Sequence, residues 1–493
     1  MTIHLSILIF WPLLLAVLAG FSPRGVAPFI ALLGSLIPLV YAALLIIDYD
    51  TAKGGLQYVT DDKWIPDLGI RYSLGVDGLN LWLVGLTALL FTASSLWNVL
   101  QPPLARAKLF SVHFGIAESA VLGAFLAQDL ALFVLFFDLM LVPFYFLLGQ
   151  WGGPERVQAA VKMVIYTLVG SLLMLAGAVA VAVLSSRGGT PDFSLAFLRE
   201  NLLSDNTQKL LFVAFALAFL IKMPAFPFHG WMPDAYRNMP LPVLAVFSGV
   251  VSKVAAYGFL RIVLPLFPAA AHDWQVIMLI LAICSILYGS ILAFTQTNLR
   301  LILGFSSVAQ LGFIVLGIFA LDPSARGAQG ALLQAVNHGL VVAPLFLIIV
   351  LLAARAGGSE DIRDMGGIAF RAPVLAALFM IVTLATLAMP GSANFVGEFL
   401  ILIGVFNSKL ALALIASVGV VLASVYALRM YIRSMHNRVG PAVTSFDLSL
   451  RDAVVIVPLV LAIVAFALFP QRAINAGAPA AQSVSHSASG AAR

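Results

Sequence analysis

The chain is a succession of apolar runs, each about 20 residues long, and that pattern leaves few folds open. A helix of that length rises about 30 Å, the thickness of a bilayer's hydrocarbon layer. Fourteen such segments can be read, at about 5–20, 27–47, 78–98, 109–127, 130–149, 158–185, 209–224, 241–264, 275–294, 301–320, 328–353, 372–404, 410–430 and 453–470. With 62% of residues hydrophobic and 10% charged, there is too little polar surface to clothe a soluble body of this size. The reading is an all-α, polytopic membrane protein with about 14 transmembrane helices in contact with a lipid bilayer.

Two of the runs are not plain crossings. Lys222 ends the stretch 210–221, and Pro224 and Pro227 break the helix just beyond it. The twelfth run is too long for one straight helix, and Pro390-Gly391 interrupts it. The two breaks share a Met-Pro step, in Ile221-Lys222-Met223-Pro224 and in Leu387-Ala388-Met389-Pro390. Paired interrupted helices point to a repeat-built transporter with its ion path at the breaks. Polar residues concentrate in two longer loops, 48–76 and 186–208. The tail after Phe469 is small and polar and is expected to be mobile. Residues 1–6 carry no Lys or Arg, so the run 7–19 reads as a retained first helix rather than a leader. Short loops holding Arg24, Arg106, Arg156, Arg237, Arg300 and Arg355 set the orientation by the positive-inside rule, with both termini outside.

Several function classes drop out. The single cysteine, Cys284, excludes a disulfide frame and an all-cysteine iron–sulfur site. The net charge of +5 is spread over loops and calls for no nucleic acid. No phosphate-cradling glycine loop, zinc spacing or nucleophile elbow is present. Energy must come from an ion gradient or a partner protein.

What remains is a set of ionisable residues inside apolar runs. A charge at the bilayer centre costs roughly 2.5–3.5 kcal/mol on insertion scales, so such residues are functional candidates by default. Lys222 adjoins a break whose freed carbonyls need protein or water partners. The alternative is a lysine snorkelling to the interface, with His229 and Asp234 capping a loop. Lys253 lies more than a turn from either end of its run, too deep to snorkel; the alternative is a structural ion pair. Asp138 interrupts a fifth-span run and has Lys222 as its expected partner. Glu398 follows the second break. His338, in Val-Asn-His-Gly-Leu, exchanges protons near neutral pH when unperturbed, or else serves as a hydrogen-bonded interhelical histidine. Lys162 with Tyr166, and Ser306 with Gln310, stand one helical turn apart. They extend a hydrogen-bonded path or glue helices together.

The residues that carry these features also form longer motifs. These are Leu-Gly-Val-Asp-Gly-Leu-Asn at 74–80, Lys-Met-Pro-Ala-Phe-Pro-Phe-His-Gly-Trp-Met-Pro-Asp-Ala at 222–235, Gly-Phe-Ser-Ser-Val-Ala-Gln-Leu-Gly at 304–312, Asn-His-Gly-Leu at 337–340 and Pro-Gly-Ser-Ala-Asn-Phe-Val-Gly-Glu-Phe at 390–399. Together they resemble the antiporter-like subunits of NADH–quinone oxidoreductase (respiratory complex I), and within them the subunit M (chain 4) branch. No long lateral helix follows the fourteenth span, which disfavours the distal subunit L.

The resemblance implies two inverted five-helix repeats with broken helices 7 and 12. It divides the chain into 1–108 (helices 1–3 with the outer loop 48–76), 109–265 (first repeat), 274–435 (second repeat) and 436–493 (helix 14 and polar tail). It implies a proton relay of Asp138, Lys222, Lys253, His338 and Glu398, with Lys162, His229, Ser306 and Gln310 as further members. It implies no cofactor in this chain, with NADH, FMN, iron–sulfur clusters and quinone in partner subunits. The partners are the other complex I membrane subunits and the peripheral redox arm, in a bacterial-type inner membrane or its organellar counterpart. Five residues depart from the pattern. Asp138 stands where glutamate is usual, Gln310 where histidine is usual, Arg300-Leu301 where Lys-Arg is common, and Tyr236 where a histidine is common. Those departures bear on the proton route, not on the fold. Competing readings are a subunit of a multisubunit cation/proton antiporter or hydrogenase-type relative, a stand-alone secondary transporter, and a scaffold that does not pump. Co-purified flavin and iron–sulfur subunits separate the first reading from the others.

Overall fold

The structure is a computed structural model that describes residues 4–101, 105–444 and 446–490, the last three without their side chains. Eleven of the described helices are long and apolar enough to cross a membrane. Ser6–Phe21, Pro373–Thr386 and Ala393–Ser408 are shorter apolar helices, and Asp205–Lys222 adds a further one ending in charge. The chain is a membrane protein built of helices.

The three most enclosed spans are Leu241–Leu266, Leu299–Ile318 and Arg326–Arg355, whose apolar windows are 100%, 100% and 94% buried. A helix that is apolar all round has no solvent face, so it belongs in a bundle interior. Ala27–Asp48 and Leu450–Leu468 lie at the periphery, each only 28% buried. Their exposed Phe29, Leu33, Val40, Val454 and Leu461 suit lipid tails. The candidate residues Lys253, Ser306, Gln310 and His338 all ride on the central three helices.

Both expected breaks are present. The first runs from the end of Asp205–Lys222, through a tight turn at Phe228–Trp231, into Met232–Asn238. The second separates Pro373–Thr386 from Ala393–Ser408, and Ala388 and Gly391 there take positive φ. A third irregularity was not foreseen. The span Leu241–Leu266 contains two π turns, Phe247–Val251 and Phe259–Val263, a feature that clusters at functional sites.

The loops sort onto two faces. On one, the loop 48–76 is not irregular but a β-hairpin, Gln57–Ile65 paired antiparallel with Ile70–Val76. It departs from the all-α expectation because its polar residues sit beyond the apolar layer, where strand edges can be hydrated. Arg71 clasps Asp61 with two bonds of 2.7 and 2.6 Å. Gly69 turns the hairpin at φ 69°, pressed against Pro191. Bridges from Leu74 to Ala127 and from Asp129 to Ser194 gather the neighbouring loops onto this hairpin face.

The tail is also corrected. Gln471–Gly490 is a helix that buries Ala473, Ala476, Ala481 and Val484. It lies against Gly78, and Ser485 donates to the Asp322 carbonyl at 2.8 Å. Small residues at helical spacing make that packing possible. On the opposite face, Leu299 bonds the Glu360 carbonyl at 2.9 Å and Thr444 the Arg355 carbonyl at 2.9 Å.

Candidate functional site

Lys222 is buried at the point where its helix ends. Its Nζ donates to the Phe137 carbonyl at 3.2 Å and lies 4.5 Å from the centre of the Phe137 ring. Asp138 is the next residue, within electrostatic reach, but no ion pair joins them. Ser171 faces the Asp138 carboxyl, whose Oδ1 has no hydrogen-bond partner among the described residues. Pro143 cannot donate to the Leu139 carbonyl four residues earlier, and the helix turns at Met140.

The first break is satisfied largely by protein. Trp231 Nε1 donates to the Ile221 carbonyl at 3.0 Å, and the Phe226 amide donates to Ser285 Oγ at 2.9 Å. The expected wet cavity is therefore small. A space of about 10 Å³, bordered by Met140, Thr167, Lys222, Trp231 and Val251, has room for about one water.

Lys253 is 0% exposed. Its Nζ donates to the Ser248 carbonyl at 2.5 Å and to Ser252 Oγ at 3.2 Å. No carboxylate pairs with it among the described residues, so the structural ion pair considered for it is absent. His338 is its electrostatic neighbour from the adjacent helix. The two helices can approach because glycine faces glycine. A Cβ on Gly339 would press on the Gly249 carbonyl oxygen.

From His338 the polar line continues one turn back to Gln334. Gln334 Nε2 donates to Gln310 Oε1 at 2.7 Å and to Glu398 Oε1 at 3.3 Å. Ser306 donates to the Tyr426 hydroxyl at 3.0 Å beside them. Asn337 holds the second break by donating to the Ala393 carbonyl at 2.6 Å. Asn337 Oδ1, Thr383 Oγ1, Asn394 and Glu398 Oε2 remain buried without partners among the described residues.

Two candidates stand apart. Lys162 forms a 2.6 Å ion pair with Asp234, with side chains 41% and 45% exposed; it ties Arg156–Ser185 to Met232–Asn238 at the surface. His229 packs against Phe226 and Tyr288, its Nδ1 without a partner among the described residues. Sequence reasoning missed Gln334, Tyr426 and Glu118. Gln334 was signalled by its one-turn spacing from His338. Glu118 interrupts the run 109–127 much as Asp138 interrupts its own. It is fully buried and accepts the Ser35 hydroxyl at 2.5 Å, with Ser95 a further 3.2 Å from Ser35.

Residues 127–423 match the transmembrane family described as NADH:quinone oxidoreductase/Mrp antiporter. The chain belongs to that family. It is 36% identical over 488 residues to NADH-quinone oxidoreductase subunit M of Rhodobacter capsulatus, covering 94% of this chain and 93% of the relative. A chain of the structure of respiratory complex I from Thermus thermophilus with bound NADH superposes with a TM-score of 0.89 at 29% identity. The match covers 98% of this chain and 100% of the other. A chain of the Mrp complex from Dietzia sp. DQ12-45-1b shares the fold, with a TM-score of 0.86 at 22% identity over 99% and 98% of the two chains. The NADH:quinone oxidoreductase/Mrp antiporter fold thus spans the whole bundle, including the matched part that carries Asp138, Lys222, Lys253, His338 and Glu398.

Proposed function

We propose that this chain moves protons across the membrane as a subunit of an NADH–quinone oxidoreductase whose redox chemistry lies in other chains. One observation carries the reading. Buried polar residues sit on and beside the most enclosed helices in three neighbouring sets, Asp138 with Lys222, Lys253 with His338, and Gln334 with Glu398. Groups that can give and groups that can take a proton both occur among them, with the uncharged Gln334 between. A proton arriving at one group therefore alters the preference of the next. Quinone reduction elsewhere supplies the energy; NADH, FMN and iron–sulfur clusters belong to partner subunits, and the membrane is a bacterial-type inner membrane.

The same reading takes the bundle as fourteen crossings with inverted repeats at 109–265 and 274–435, flanked by 1–108 and 436–493. Its support is a shared order of parts. Each unit has a 30-residue helix, Arg156–Ser185 or Arg326–Arg355, followed by a broken helix and then a long span. The test is to purify the chain with its native partners and energise vesicles with NADH. Flavin and iron–sulfur subunits co-purify and acridine dye is quenched if the reading holds. A complex without redox subunits that exchanges cations for protons assigns the chain to an antiporter instead.

A further inference from the structure

The motif at 74–80 takes no part in the relay, yet it builds a buried charge cluster. Asn80 accepts the Asp77 amide at 2.9 Å and donates to the Gly75 and Phe125 carbonyls at 2.9 and 2.8 Å. The Leu79 amide donates to Asp77 Oδ1 at 2.9 Å. So held, the Asp77 carboxylate meets the Arg261 guanidinium at 2.6 Å, with side chains only 7% and 3% exposed. A second guanidinium closes on the pair: Arg199 donates to the Arg261 carbonyl at 2.9 Å and senses both charges. Two cations and one anion leave one net positive charge in the interior. Apolar side chains of similar volume often pack as stably as a buried ion pair, so stability alone gives little reason for this cluster.

Its position supplies the reason. Lys253 and Tyr257 stand one α-helical turn apart on one face, and Arg261, in the π turn that follows, reaches back to Tyr257. Tyr257 lies between, its hydroxyl accepting from Arg261 Nε at 3.0 Å. Eight residues place Arg261 about 12 Å along the axis from Lys253, toward the hairpin face. We propose that Arg261, with Arg199 and Asp77, is an electrostatic seal that stops a proton on Lys253 from leaving through the hairpin face. The proton is then left the sideways route to His338 and Glu398. Fixed arginines exclude protons and cations from pores in this way. A net unit charge at about 12 Å, in an effective dielectric of about 20, disfavours a proton there roughly tenfold.

The inference rests on the proton-translocating reading but is tested without turnover. Purified complex is placed in liposomes, a pH gradient is imposed with no NADH, and its decay is followed with internal pyranine. Arg261→Gln should speed the decay by roughly tenfold, and Arg261→Lys should restore tightness. Asp77→Asn makes the cluster more positive and should not leak. Arg199→Gln removes the net charge while leaving the ion pair intact, so it should also leak; it carries the test if Arg261→Gln fails to assemble. Equal leak in Asp77→Asn and Arg261→Gln would reduce the cluster to packing, and tight membranes in both arginine variants would overturn the seal. Failure of the wild-type complex to quench acridine dye with NADH would sink the translocation reading and leave the leak result standing.

Discussion

Lys222 stops one residue short of Asp138: its ammonium rests on the Phe137 carbonyl at 3.2 Å, and the neighbouring carboxylate is left unpaired. The two groups sense each other without closing an ion pair. An aspartate is one methylene shorter than the glutamate usual at this position in the subunits the chain resembles. The open arrangement is what that shorter reach produces unless the helices shift.

We propose that the two form a switchable pair. Asp138→Ala and Lys222→Ala should each lower NADH-driven dye quenching by roughly tenfold, and the double variant should be little worse than either, as coupled partners require. Asp138→Glu should preserve pumping, because the longer side chain reaches the ammonium. Losses that multiply independently would show that the two residues act apart.

Lys253 pairs with no carboxylate among the described residues, and under the proposed function its amine takes and gives a proton. Lys253→Ala should abolish most pumping while the complex still assembles, checked by dye quenching alongside native gel electrophoresis. Lys253→Arg should fail as well, because a guanidinium stays protonated. Normal proton output from either variant would reassign Lys253 to structure.

The features legible in the sequence were those with a sharp local signature. Asp138, Lys222, Lys253 and Glu398 each interrupt an apolar run, and proline marks both breaks. Glu118 carries the same signature and was passed over, though the structure buries it as deeply. Gln334 and Tyr426 are uncharged, and their importance lies in which helices meet, a tertiary fact that spacing along one helix cannot hold. The tail misled because small polar residues read as disorder, whereas Ala473, Ala476 and Val484 recur at helical spacing and find a groove. The π turns around Lys253 have no composition cue at all.

The contact between Gly249 and Gly339 sets how near Lys253 and His338 can come. Gly339→Val should force the two helices apart and destabilise the fold by about 1–3 kcal/mol, the usual cost of overpacking. Gly149→Val, whose Cβ would meet only Ala160 at 3.8 Å, serves as the comparison. Thermal unfolding in detergent should separate the two variants, and equal melting would show that the helix crossing tolerates a side chain.

On the face opposite the hairpin, Asp361 fastens the segment 356–372 to the turn before Leu299. Its carboxylate accepts Thr297 Oγ1 at 2.9 Å and two Arg363 bonds at 3.0 and 2.7 Å. The Arg363 hydrogen bonds hold its pKa down to about 2. A carboxylate depressed in the folded state lends stability that is full above its unfolded pKa, near 4, and is lost as pH falls through the folded value. The segment should therefore stay closed to pepsin at pH 4 and become cleavable as pH approaches 2. Asp361→Asn cannot ionise, so its cleavage, taken relative to an unstructured reference peptide, should be high at pH 4 and nearly flat across that window. A wild-type profile as flat as the variant's would show that the fastening is made by the Leu299 and Ile362 backbone bonds and the Arg300–Glu360 pair and not by the Asp361 charge.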